Sequence, residues 1–479
     1  MTETLPSDES AATSRAAPES LALGIACSPG EPGRLGEVCI VPSARAGTAF
    51  VLGRGAAIPS DMHARLEFVR SRAGAFEARP PLASPRLSRV QLVLVANGTE
   101  SIAVQNQGRC PLFCNDVQVE SAVVVPGDTL QLGRELLLVC VRRSVWQPAV
   151  AALSPQTPFG EHDPYGLVGE SPAAWDLRRR IAFLAPRSEH VLVVGESGTG
   201  KELVARALHD LSPRARMPFL ARNAATFPEA LVDAELFGHS RNYPNAGMSE
   251  RRGLIGEAAG GTIFLDELAE LPPSLQTHLL RVLDGGEYQR LGDSAVRVSD
   301  FRLIGATNQP TKLREDLAAR LKLSLRVPTL AERVEDIPLL VVHLLRGIAR
   351  TSDDIAARLF DGGDLRGEPR IALSLMGFLL RHRYTTNVRE LEALLWEALT
   401  EGPEGVLDRP RRSQADRGSA AAASRPRVRS SGPPSAEAVS AALAQHGGSQ
   451  DQAWRALGLS SRHALRRLMD KYGLKKQKA

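Results

Sequence analysis

Apolar residues fall into three distinct patterns along this chain. From residue 21 to about 145 they form short β-branched or apolar runs: Val38 to Val41, Thr48 to Leu52, Val90 to Val95, Val123 to Val125 and Leu136 to Val141. Turn clusters such as Ala96-Asn97-Gly98 and Pro126-Gly127-Asp128 separate them. Short runs punctuated this way predict strands joined by turns, and so a β-sandwich over 21–146. From Gly166 to about Leu340 helical and strand patterns alternate, which predicts an open α/β sheet over 166–340. Residues 341–400 are apolar at helical spacing and predict a small helical lid.

Composition supplies the connecting pieces. The first twenty residues are small and polar, with no apolar signal-peptide core, and predict a disordered tail on a cytoplasmic protein. Pro-rich residues 147–165 read as a linker. Residues 401–435, rich in Pro, Ser, Ala, Gly and Arg, read as a flexible basic tether. Residues 436–479 read as a compact helical unit. The net charge of +5 is modest, but Arg and Lys crowd the last seventy or so residues, which points that end toward nucleic acid. No apolar run approaches the roughly 20 residues that span a bilayer, so no membrane partner is expected. The five cysteines (Cys27, Cys39, Cys110, Cys114, Cys140) precede the motifs described next, and no His or second Cys pair completes a metal set around Cys110 and Cys114. They read as reduced thiols, some of them buried.

Two segments carry chemistry. GESGTGKE, from Gly195 through Glu196, Ser197, Gly198, Thr199, Gly200 and Lys201 to Glu202, follows the apolar run Val191 to Val194 and precedes a helical pattern. Glycines there let backbone N–H groups close around phosphates, and Lys201 adds a point charge for the β- and γ-phosphates. GGTIFLDE, at Gly260 to Glu267, is a short apolar strand ending in two carboxylates. Asp266 is suited to Mg²⁺ and Glu267 to polarising an attacking water. The strict pattern has Ser or Thr where Glu202 stands, so Mg²⁺ must lean on Asp266, phosphate oxygens and water.

Between Gly166 and Ala398 the chain resembles the AAA+ domain of bacterial sigma-54-dependent transcription activators. GLVGESPAAWDLRRRI, GESGTGKELVARALH, AELFGH, GGTIFLDELAELP, LLRVLDGGEYQRLG, FRLIGATN, LREDLAARL and NVRELEALL appear in that family's order. The resemblance implies ATP and Mg²⁺ as cofactors and assigns further roles. Asn223 matches the residue that restrains the catalytic carboxylate, with Glu267 as its expected partner. Thr307 and Asn308 match the first sensor, and Arg389 the second, on the lid. Arg314 and Arg320 match arginine fingers that act from a neighbouring subunit, which implies a homo-oligomeric ring, a hexamer. Three departures are visible: YTTNVREL stands for the family's WPGNVREL, the loop between Asn308 and Arg314 is short, and LRER is Leu330-Ala331-Glu332-Arg333.

A larger departure follows AELFGH. There the family carries GAFTGA, the loop that touches sigma-54; here Asn242-Tyr243-Pro244-Asn245-Ala246-Gly247 occupies the same spacing. Pro244 aligns with the family's phenylalanine, fixing φ and removing a donor. This predicts altered or lost engagement of sigma-54 polymerase, the other reading being that Tyr243 substitutes for the contact.

The flanking domains also carry resemblances. The β-domain is similar to forkhead-associated (FHA) domains, readers of phosphothreonine peptides: Gly53-Arg54 follows a strand, Ser88-Arg89 matches Ser-Arg, and Asn115-Asp116 sits near the late Asn-Gly. Arg54, Ser88 and Arg89 are then the phosphopeptide residues. Gln91 replaces the family's His, and Gly108-Arg109-Cys110-Pro111-Leu112 replaces its Asn-Gly-Thr segment, so a degenerate scaffold is the alternative. Ala453 to Leu457, Gly458 to Ser460 and Ser461 to Lys471 resemble a Fis-type helix-turn-helix. Ser461 is an N-cap candidate, and Arg462, His463, Arg466 and Arg467 are the DNA-facing residues. The combined expectation is a DNA-bound, ATP-hydrolysing regulator gated by the FHA domain. The competing reading is a non-catalytic scaffold or repressor in which ATP only sets oligomeric state.

Overall fold

The computed structural model describes residues 19–42, 49–56, 64–72, 75–144, 157–227, 231–402 and 405–410, with 439–440, 465–467, 469 and 472. The N-terminal part is a sandwich of two sheets. One runs in the order 117–119, 112–114, 129–132, 136–144, 19–27, 38–41, 69–72, 75–78; the other runs 121–124, 101–106, 92–97, 50–52, 64–65. Strand alternation gives the first sheet two different faces. Leu21, Leu23 and Ile25, with Leu136, Leu138 and Cys140, point into the sandwich. Ala22, Ala26, Leu137, Val139 and Val141 point the other way, into a second core.

The central part is a parallel sheet in the order Phe219–Asn223, Thr262–Asp266, Arg302–Thr307, Val191–Val194, Leu323–Arg326. Helix α1 (Pro172–Leu184) starts on Ser171, whose hydroxyl accepts from Ala174 N at 3.1 Å, with Pro at N1. Its Leu177, Ile181 and Leu184 face the sheet together with Val204, Ala205 and Leu208 of α2 (Lys201–Asp210). On the other side lie α3 (Val232–Phe237), α4 (Gly253–Glu257), α5 (Pro273–Gly285) and α6 (Glu315–Arg320). The strand order brings the C-terminal ends of four strands together, the usual place for a site in an open α/β sheet.

The helical lid comprises α7 (Ile337–Ala349), α8 (Asp353–Leu359), α9 (Leu373–Arg381) and α10 (Asn387–Glu401). A division at residue 340 falls inside α7. The helical part begins earlier, after the Thr329–Glu332 capping box, because Pro338 in the first turn is compatible with a helix start. Leu339, Leu340, Leu375, Met376, Leu379 and Leu380 of the lid meet the outer face of the N-terminal sheet, so lid and sandwich share one core.

The segment expected as a linker is held at its described end, 157–165. Arg72 donates to the carbonyls of Thr157 and Pro158, each at 2.8 Å, and Arg178 Nε donates to Asp163 at 2.9 Å. Arginines from both flanking domains thus bind this stretch. The five cysteines form no disulfide, and all but Cys27 are buried; burial pushes the Cys39 and Cys140 thiols up to about 12, which makes them inert. Among the described residues no helix is long and apolar enough to cross a membrane. Ser461, Arg462 and His463 lie outside the described residues; Arg466 and Arg467 are exposed beside buried Leu465 and Met469.

Candidate nucleotide site and its neighbours

The loop 195–200 leaves the sheet between the strands ending at Thr307 and Arg326. Gly195 N donates to Thr307 O at 3.1 Å and Val327 N to Val194 O at 2.8 Å, which pins the start of the loop. Gly198 has φ +73, and a Cβ there would come within 2.0 Å of Thr386 O, so only glycine fits. Among the described residues, none of the backbone N–H groups from Ser197 to Lys201 donates to a protein acceptor. Five donors without acceptors at a helix N-terminus suit an oxyanion ligand. The Lys201 ammonium is buried behind them. It donates to Gly195 O at 3.1 Å and Glu196 O at 3.3 Å, and lies 3.9 Å from Glu267. Thr199 is buried, its hydroxyl donating to Glu196 O at 2.9 Å. Glu202 is exposed on the first turn of α2.

Asp266 ends its strand, and Asn223 sits opposite it in the neighbouring strand. Glu267 N donates to Asp266 Oδ1 at 3.0 Å, and Glu267 has φ +51, a conformation that turns the chain sharply at the strand end. Asn223 does not hold Glu267. Its Oδ1 accepts from Ala225 N at 2.9 Å, capping the short turn Ala224–Thr226. That bond uses the amide oxygen; the amide nitrogen, the atom that would hold a carboxylate, donates to no acceptor among the described residues. Thr307 is buried, its hydroxyl accepting from Gln309 N at 3.0 Å, and Asn308 is exposed on the next bend.

The lid reaches the loop directly. Arg389 donates to Ser197 Oγ at 2.9 Å, Val388 N to Gly198 O at 3.1 Å, and the Asn387 amide to both Glu196 Oε2 and Ser197 O at 3.1 Å. Asn387 did not emerge from the sequence reading. The available signal was an asparagine at a predicted helix start, two residues before Arg389. The turn before α10 is braced by Glu390, which accepts from His382, Thr385 and Thr386. Burial opposes ionisation of Glu390, but these donors outweigh it and hold the carboxyl down at about 2.

Arg314 and Arg320 are both exposed and lie at opposite ends of α6, Arg314 as its N-cap residue and Arg320 as its last. Arg314 pairs with Asp316 at 2.7 Å, which raises its pKa, and Arg320 pairs with Asp284. Neither touches the loop 195–200 of its own chain among the described residues. The 242–247 loop closes on itself: Asn242 N donates to Met248 O at 2.9 Å and Gly247 N to Asn242 Oδ1 at 2.9 Å. Ser240 Oγ donates to Gly292 O at 3.0 Å, and the Tyr243 side chain lies against Gly292, so this loop is laced to the hairpin around residues 286–298.

In the N-terminal sandwich, Gly53-Arg54, Ser88 and Arg109 come to one end. A Cβ on Gly53 would lie 2.4 Å from Arg89 O, so the two loops touch only because residue 53 is glycine. Arg54 N donates to Ser88 O at 3.0 Å, and Arg109 N to Ser88 Oγ at 3.1 Å. Gln91 is fully buried and ties three loops together: it accepts from Ser88 N and donates to Asn106 Oδ1 and Cys110 O. The Arg54 Nε is buried with no hydrogen-bond partner. Arg89 is exposed and contributes its carbonyl, which accepts from Arg65 at 2.9 Å. Asn115-Asp116 does not join this cluster. Asp116 faces the lid, accepting from Arg409 at 2.7 Å and pairing with Arg381, which also donates to Thr129 Oγ1 at 2.6 Å.

Comparison with known proteins places the central part. Residues 167–326 match the family described as Sigma-54 interaction domain. The matched segment contains the loop 195–202, Asp266, Glu267, Thr307, Arg314 and Arg320, and ends before the lid. The chain is 43% identical over 234 residues to the DNA-binding transcriptional regulator NtrC of Salmonella typhimurium, covering 47% of each. It is 38% identical over 279 residues to NtrC of Bradyrhizobium, covering 57% of this chain and 55% of that protein. The Nif-specific regulatory protein of Azotobacter vinelandii is 38% identical over 252 residues, with 51% of this chain and 46% of that one covered. The chain thus spans about half the length of the curated relatives it matches. Among solved structures, NtrX from Brucella abortus in complex with ATP aligns with a TM-score of 0.45 and 30% identity, over 66% of this chain and 70% of that one.

Proposed function

We propose that this chain is a DNA-bound transcription regulator of the sigma-54 activator type that hydrolyses ATP. The observation that carries the reading is the open row of donors from Ser197 to Lys201, set near two carboxylates at the end of the strand Thr262–Asp266, one strand removed in the same sheet. The donor set fits a nucleoside triphosphate. The loop amides and Lys201 would hold the phosphates, and Asp266 would hold Mg²⁺, since Glu202 offers no hydroxyl at the usual position. Bound Mg²⁺ neutralises charge on the phosphate oxygens. Glu267 orients and polarises the attacking water, and Arg314 and Arg320 reach the γ-phosphate of a neighbouring copy in a hexameric ring. The Fis-type end, with Ser461, Arg462, His463, Arg466 and Arg467, carries the contacts to DNA.

We read the N-terminal sandwich as an FHA-like domain that gates the ATPase. Arg54 and Ser88 supply an unpartnered guanidinium nitrogen and a hydroxyl for a phosphothreonine, and Arg89 is an exposed cation next in the chain. Gating is supported by the sandwich packing on the lid, which in turn grips the loop 195–200. The substituted 242–247 loop favours an output without ordinary sigma-54 engagement, because Pro244 stands in place of the phenylalanine and the loop backbone is committed to internal hydrogen bonds; Tyr243 lies beside Gly292 and is 38% exposed.

Steady-state ATP hydrolysis by the purified protein tests the catalytic half; no turnover at any protein concentration would leave the non-catalytic reading. Transcription by sigma-54 polymerase, with wild type beside a variant carrying GAFTGA at 242–247, tests the output. Strong activation by the wild type would overturn the reading of this loop.

A further inference from the structure

Asn387 is 1% exposed and begins α10 with φ +50. Asparagine tolerates that conformation far better than a β-branched or bulky residue. Its amide makes three hydrogen bonds. Oδ1 accepts from Leu330 N at 2.8 Å, and Nδ2 donates to Glu196 Oε2 and to Ser197 O at 3.1 Å each. Three segments far apart in sequence therefore meet on one side chain: the start of the lid, the start of α10 and the loop 195–200. The neighbouring contacts, Val388 N to Gly198 O and Arg389 to Ser197 Oγ, extend this hold to Gly198 and repeat it at Ser197.

We propose that Asn387 is a positioning residue for the nucleotide site, holding Glu196 and Ser197 so that the loop amides face the phosphates. This rests on the reading of 195–202 as a nucleotide-binding loop. The chemistry is specific to an amide. An aspartate of the same shape keeps the acceptor for Leu330 N but sets an oxygen against the Glu196 carboxylate and the Ser197 carbonyl. Glycine keeps the backbone conformation and removes all three bonds. Asn387 touches the loop and not the phosphates, so its effect falls on how often the loop is competent to bind.

The test uses the full chain with Mg-ATP and ADP as probes, and amide hydrogen exchange at Val388 and Val204, which donate to Gly198 O and Gly200 O, in nucleotide-free protein. Asn387→Gly should weaken nucleotide Kd by about tenfold, the effect of losing one to two net hydrogen bonds, and should speed exchange at both amides. Asn387→Asp should bind more weakly than the glycine variant. Adding Glu196→Gln to Asn387→Asp should restore most of the affinity, because a glutamine can donate where the glutamate can only accept. Wild-type exchange rates in Asn387→Gly would overturn the proposal, as would effects of Asn387→Asp and Glu196→Gln that simply add. If the wild type binds neither nucleotide, the nucleotide reading fails, and the exchange measurement still decides whether Asn387 holds the loop.

Discussion

Arg143 of the N-terminal sandwich donates to Glu335 at the foot of the lid at 2.8 Å, in a seam where both side chains are almost fully buried. Burial pushes the Glu335 carboxyl up from its ordinary 4.5 to about 7; Arg143 pulls it down, and Asp336 adds to the rise. The folded seam therefore binds a proton more tightly than the unfolded chain does. Its contribution to stability is complete below pH 4.5, declines as pH rises toward about 7, and is level above that. Thermal unfolding from pH 5 to 8 should show this decline in wild type and a shallower one in Glu335→Gln, which stays neutral. Parallel curves would remove Glu335 from the pH dependence. Comparing the two proteins cancels the opposing slope from buried His190 and His343, whose pKa values burial lowers.

Breaking the second contact in that seam should loosen the sandwich without unfolding the ATPase. Asp116→Ala leaves Arg381 and Arg409 without their shared carboxylate, at a cost of about 1–3 kcal/mol. Because lid and sandwich share a core, wild type is expected to unfold in one calorimetric transition. The variant should split it, or show faster exchange in strand Thr129–Leu132. A single unshifted transition would mean that the seam contributes nothing. Changed ATP turnover in the same variant would support gating.

Lys201→Ala should lose about a hundredfold in ATP affinity, the scale of a buried charge-assisted contact. Glu267→Gln should keep binding and lose turnover by about 10²–10⁴-fold, since an amide cannot take a proton from water. Equilibrium binding beside steady-state hydrolysis separates the two; wild-type turnover in Glu267→Gln would assign the base elsewhere.

Arg314→Ala and Arg320→Ala should each bind ATP and lose about 10³–10⁵ in turnover. Mixing either with Lys201→Ala protein should recover part of the rate, because one subunit then supplies the fingers and the other the site. A rate per subunit that is independent of concentration down to monomers would rule out action across subunits. The opposite ends of α6 occupied by the two arginines predict unequal losses.

Arg54→Ala should abolish binding to any phosphothreonine peptide that the wild type selects from a library, and Gln91→Ala should weaken it through Ser88. Binding that survives Arg54→Ala would move the site elsewhere on the sandwich; a wild type that selects nothing would favour the scaffold reading.

Local patterns in the sequence were enough for the parts whose chemistry is local. Glycines at 198 and 200, both at positive φ in a short turn after Val191 to Val194, specify a phosphate loop, because few other residues reach those backbone conformations. Isoleucine 263 to Leu265 followed by two carboxylates specifies a buried strand with charge at its end. The run Leu136 to Val141 specifies a strand that is apolar on both faces. What covers the second face was beyond reach, since hydrophobic alternation records that a face is buried and not by what. Only the tertiary structure set Leu137, Val139 and Val141 against the lid, paired Arg143 with Glu335 across 192 residues, and turned Asp116 away from Ser88 toward Arg381. Asn223 and Asn387 follow the same division: each reads as an asparagine at a helix start, but whether its amide serves its own turn or a distant loop depends on which acceptors folding brings within about 3 Å.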